Sequence, residues 1–131
     1  MKISNKIKYS ILALCFALSC FGFLIKLPAP FRRIDSEMHY LFFFLAAAFI
    51  NILFQVKKVN THLMIYGMLF LFSALIEFSQ EYSNKFLNKR IHGNFDPDDL
   101  KFNLLGLTTF SAIWLTYFLI TLITKRKRST N

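Results

Sequence analysis

Acid is scarce in this chain. Only seven of its 131 residues are Asp or Glu, against sixteen Lys and Arg. The seven fall in two stretches: Asp35 and Glu37 in one, and Glu77, Glu81, Asp96, Asp98 and Asp99 in the other. Carboxylate chemistry is therefore excluded from the rest of the sequence. Cysteine is also scarce. Cys15 and Cys20 sit five apart in one apolar run, on different faces of a helix, which argues against an internal disulfide. There is no phosphate-cradling glycine loop, no nucleophile elbow, no internal repeat and no low-complexity linker. A length of 131 residues allows one domain, spanning 1–131.

What the chain does have is apolar surface. Hydrophobic residues make up 55% of it, 17 of them Phe. The mean hydropathy is +0.44, high for a soluble domain. That composition suits helices facing lipid. The net charge of +9 does not indicate nucleic acid, because the basic residues sit beside apolar runs and do not line a soluble face.

A helix crossing about 30 Å of hydrocarbon needs roughly 17–25 apolar residues. Four runs fit, at about 9–25, 38–56, 63–78 and 102–123. The expected fold is all-α, an integral membrane bundle of four transmembrane helices. Four spans put both termini on one side. The head, the Lys57–Lys58 loop and the tail at Lys125, Arg126, Lys127 and Arg128 hold nine Lys and Arg, against seven in the other two loops. The basic excess marks the cytoplasmic side, so the orientation reads N-in and C-in with both acid-bearing loops outside. The tail reads as a stop-transfer anchor attracted to anionic lipid. The first run also has the basic n-region and apolar core of a signal peptide. Apolar residues continue past Cys20 to Leu27, longer than a typical h-region, so a retained helix is expected. Pro28 and Pro30 then impose an extended loop.

The remaining polar residues recur at helical spacing. Asp35 and His39 are four apart at the outer end of the second span, and Glu77 and Gln80 are three apart at the outer end of the third. Asp99, Asn103 and Gly106 step by four and three into the fourth. Three helices thus carry unlike polar groups to one depth. Ionisable groups near hydrocarbon turn inward and find partners. Arg90 is suited to hold a carboxylate bidentately. Gly106 leaves room for a neighbouring helix. His39 is the group best suited to proton transfer near neutral pH, and Asp35 is placed as a helix N-cap.

In order along the chain, Asp35 and His39, Glu77 and Gln80, then Arg90, Asp96, Asp99, Asn103 and Gly106 resemble the VanZ-like membrane proteins. That family looks like Asp-x-x-x-His before one span, Glu-x-x-Gln at the end of another, and Arg, Asp, Asp-x-x-x-Asn-x-x-Gly leading into the last. The resemblance covers Asp35 to Gly106. The chain departs from it at Ser36, where a lysine is usual, and in a longer segment from Gln80 to Arg90 that lacks a proline. The resemblance implies a multi-pass protein of the cell envelope, in the bacterial plasma membrane, linked in its namesake to resistance against the glycopeptide teicoplanin. It brings no particular reaction, so enzymatic activity is left open.

Two readings of the polar set follow. In the first, it is a site at the outer membrane face for a lipid-linked or glycopeptide-like envelope ligand. His39 and Glu77 would carry acid/base work, and Asp35, Gln80, Arg90, Asp96, Asp99 and Asn103 would bind. In the second, it is a structural network locking helices in a non-catalytic scaffold or assembly partner. Membrane lipid is the expected partner in either case. Carboxylates with one His suit a divalent ion, but no tight spacing such as His-Glu-x-x-His occurs, so neither metal nor cofactor is assigned. Four short spans with polar groups at one end argue against a transport pathway through a monomer. His92-Gly93-Asn94 reads as a turn, Glu81 and Asp98 as solvated surface charges, and His62 as an interfacial helix-end residue. Trp114 falls within a span and is expected to pack against a neighbour or lipid.

Overall fold

The computed structural model describes residues 4–24, 34–86 and 95–129. Among them there are four helices and no strand: α1 (Asn5–Leu24), α2 (Asp35–Leu53), α3 (Val59–Phe86) and α4 (Pro97–Ser129). Each is long and apolar enough to cross a membrane, so the chain is a multi-pass membrane protein. Large apolar side chains on the outer faces, such as Ile52, Met68 and Leu119, stay exposed. Facing lipid, they need no protein cover. Ser19, Ser79, Thr109, Thr116, Thr121 and Thr124 donate to carbonyls of the preceding turn, which satisfies hydroxyls that lipid cannot.

The helices are not bounded where apolar composition alone sets the limits. α3 continues past residue 78 to Phe86, so Glu77 and Gln80 lie inside it and not at its end. Its polar extension holds together through the Lys85–Glu81 pair at 2.9 Å, one turn apart. α4 begins at Pro97, whose fixed φ suits a first helical position. Asp96 caps it, accepting the Asp98 N–H at 2.8 Å. α2 begins at Asp35 itself. Ile34 takes the cap position and no side chain caps the helix, so the expected N-cap role of Asp35 is not observed. α2 ends in a Schellman arrangement. Val56 N–H reaches the Asn51 carbonyl at 2.9 Å and Gln55 N–H the Ile52 carbonyl at 3.1 Å, with Gln55 at φ 49° where glycine is more usual.

The buried face of α2 is one stripe at steps of four: His39, Phe43, Ala47 and Asn51. Phe43 and Ala47 form the apolar middle of the core with Leu69 of α3 and Leu107 of α4. Gly106 brings α4 against α2. A Cβ there would run into the Tyr40 carbonyl oxygen and lie 3.1 Å from the Phe44 nitrogen, both backbone atoms that cannot swing away. The expected close approach at Gly106 is therefore present. α1 lies at the periphery and touches the core through Phe16 against Phe72 and through Phe23. Cys15 and Cys20 are free, as their spacing implies.

Candidate functional site

Each inner stripe is apolar in the middle and polar towards its ends. The polar ends meet in two clusters, about 18 Å apart along α2 by the rise from residue 39 to residue 51.

The first cluster is built around His39, which is 5% exposed. Its Nδ1 lies 3.0 Å from Asn103 Oδ1, and the Asn103 amide nitrogen donates to Ser73 Oγ at 2.8 Å. With the amide so oriented, Nδ1 carries the ring hydrogen and donates it to Oδ1. This chain of bonds joins α2, α4 and α3. Glu77 lies on the same Nδ1 side, its Oε1 at 3.7 Å. Glu77 is fully buried. Its Oε2 accepts the Asp96 N–H at 3.4 Å, but Oε1 has no hydrogen-bond partner.

The Nε2 side of the ring differs. Its lone pair faces Asp35 Oδ1 and Asp99 Oδ2, each at 3.9 Å, beyond hydrogen-bond reach. Asp99 is held by the Ser36 hydroxyl, which donates to its Oδ1 at 2.7 Å, and it sits in the first turn of α4, where a negative charge is favoured. The Asp35 side chain is 40% exposed and forms the open edge of the cluster. Phe23 of α1 walls another side, its ring 5.0 Å from the imidazole, and Gln80 fixes that wall by donating to the Phe23 carbonyl at 2.8 Å.

Of the residues singled out in the sequence, Asp35, His39, Glu77, Asp99 and Asn103 meet in this cluster. Gln80 is committed to α1, and the Asp96 side chain to the cap of α4. Arg90, with the His92-Gly93-Asn94 turn, lies outside the described residues. Glu81 pairs with Lys85 and takes the Phe95 N–H at 3.4 Å, while Asp98 pairs with Lys101 at 2.7 Å. Ser36, Ser73 and Phe23 carry no signal in the sequence beyond position: Ser36 and Ser73 are each about one turn from an identified residue on the same helix.

The second cluster adds to one expectation and corrects another. His62 stands in the first turn of α3, at the helix end, and is buried, at 2% exposure. Polar groups also occupy both ends of the core, not one. The Asn51 amide nitrogen donates to the Ala47 carbonyl at 2.8 Å, which fixes its Oδ1 as acceptor for His62 Nδ1 at 2.9 Å. His62 Nε2 then accepts from the Ser111 hydroxyl at 3.0 Å. Trp114 stacks on the ring at 4.2 Å and 3°, the neighbour its mid-span position implied.

No family model, curated protein or solved structure matches the chain.

Proposed function

We propose that this is a VanZ-like protein of the cell envelope, with its termini in the cytoplasm, in which the His39 cluster binds or processes a polar ligand at the outer membrane face. The ligand class is a lipid-linked envelope precursor or a glycopeptide, with a link to teicoplanin resistance. The ordered residue set from Asp35 to Gly106 supports the family, and the distribution of Lys and Arg supports the orientation. The observation that carries the reading is His39 itself. Its Nδ1 side is buried and tied to Asn103 beside Glu77, while Nε2 faces the half-open edge at Asp35. In this reading Nε2 meets the ligand as acid or base. Glu77, which has no access to that edge, stands behind the ring, 3.7 Å from Nδ1, and Asn103 orients the ring.

The reading requires His39→Ala and Glu77→Gln each to abolish the resistance phenotype at normal protein level. Retained phenotype in both variants overturns it. On intact cells, a single cysteine at Asn94→Cys in a cysteine-free background must react with a membrane-impermeant maleimide, and failure to react overturns the orientation. The scaffold reading is supported by the His39–Asn103–Ser73 chain across three helices. It predicts instead that His39→Ala lowers folded protein before any phenotype changes.

A further inference from the structure

Three acceptors converge on one point in the first cluster. The Nε2 lone pair of His39, Asp35 Oδ1 and Asp99 Oδ2 lie within 4.8 Å of one another, with nothing among them able to donate. Such an arrangement is repulsive until something electropositive sits at its centre. On the Nδ1 side of the same ring, at 3.7 Å, Glu77 adds a third carboxylate, with one buried and unpartnered oxygen. Lys85 and Lys101 are paired with Glu81 and Asp98 and do not neutralise these groups.

The spacing is wider than a hydrogen bond and leaves room for an ion. A proton on Nε2 would draw a carboxylate in to about 2.7–2.9 Å. Both carboxylates stand at 3.9 Å instead. Two donor atoms each about 2.1 Å from a shared ion in a tetrahedral site lie about 3.4 Å apart, so an ion would draw each carboxylate in by only about 0.5 Å, a smaller movement than a proton requires. The surroundings match as well. A metal-bound histidine donates its other ring N–H to an oxygen acceptor, and ligating carboxylates are themselves hydrogen-bonded. Asn103 does the first for His39, and Ser36 does the second for Asp99.

We infer that Asp35, His39 Nε2 and Asp99 form a binding site for one divalent transition-metal ion of the zinc or manganese class, open to an exogenous ligand on the Asp35 side. The imidazole favours these ions over magnesium and calcium, and the two carboxylates disfavour copper(I). Three protein ligands with one open position is the form of a metal site that binds or activates a ligand. The inference rests on reading the cluster as a site and not as a scaffold, and it names what that site holds.

The test uses the full chain in detergent, stripped with chelator and titrated with zinc, manganese, magnesium and calcium alone. Cobalt serves as a spectroscopic probe. One zinc or manganese ion per chain should bind saturably, at least tenfold tighter than magnesium or calcium, and cobalt should give visible absorption bands. Asp35→Asn and Asp99→Asn should each weaken zinc binding at least tenfold, and His39→Gln should abolish it. His92→Gln, at a histidine that is not one of the inferred ligands, should leave it unchanged. Asp35→Asn is the decisive variant, because its carboxylate is partly exposed and caps no helix. Absence of a saturable ion overturns the inference, as does one-to-one binding unaffected by Asp35→Asn or binding that follows His92. A bound metal with a resistance phenotype indifferent to His39 would overturn the ligand reading alone. A His39-dependent phenotype with no bound metal would overturn only the metal site.

Discussion

The two histidine clusters start alike and finish differently. In both, a buried histidine donates from Nδ1 to an asparagine side chain on another helix: His39 to Asn103, His62 to Asn51. The difference lies at Nε2. In His62 the remaining lone pair is closed by the Ser111 hydroxyl and the ring is covered by Trp114, so every polar atom of the imidazole is used. In His39 the lone pair looks at two carboxylates that cannot donate to it, and a third carboxylate, Glu77, is buried behind the ring with one oxygen unpaired. A saturated cluster holds helices together. An unsaturated one costs stability, and its free polar atoms are available to a ligand. The same residue type thus closes a clamp at one end of the core and, in the proposed reading, serves a site at the other.

Both clusters depend on the close contact of α2 with α4, so the largest effect should come from Gly106→Val. Its side chain would strike the backbone at Tyr40 and Phe44, with no flexible group to yield. We expect a loss of about 3 kcal/mol, read as a sharp fall in thermal stability in detergent, with metal binding lost too. If Gly106→Val is stable, the two clusters do not share one packing contact.

Next in size is His62→Leu. It leaves Asn51 Oδ1 and the Ser111 hydroxyl without their partner and alters the stack on Trp114. We expect about 2 kcal/mol of destabilisation, with ion affinity in the surviving folded protein unchanged. A loss of ion affinity would mean that the clusters are coupled and not merely similar.

Glu77→Gln should act in the opposite direction. Replacing a buried carboxylate that has one unpaired oxygen by an amide lowers the cost of burying the group, so thermal stability should rise, by about 1 kcal/mol, while function is lost. A fall in stability would move this cluster into the clamp class. The smallest change in stability, within about 0.5 kcal/mol, is expected for Asp35→Asn on the half-open edge, where the effect should appear only in ion and ligand binding.

The site was partly legible before the fold. Steps of three and four placed Asp35 with His39 and Asp99 with Asn103, because residues at those intervals share a helix face whatever the tertiary structure. Ser36, Ser73 and Ser111 were not legible. Serine is common on lipid-facing helices, where it bonds its own backbone, and nothing local separates such a serine from one that completes a network. The link from Asn51 to His62 spans the α2–α3 turn and depends on how the Schellman ending at Gln55 aims the next helix. The span limits erred where polar residues remain helical. Apolar composition reports the part of a helix that meets hydrocarbon, whereas capping at Asp96 and the pairing of Glu81 with Lys85 decide where the helix ends.

Composition and spacing alone determined that the chain has four helices long and apolar enough to cross a membrane, and which residues share the polar face at the His39 end, because lipid demands internally bonded backbone and apolar exteriors from any sequence. Which histidine became a closed clamp and which kept an open nitrogen was decided only when α2, α3 and α4 came together. The partner of a ring nitrogen is supplied by another helix, and its identity is set by packing register, not by local sequence.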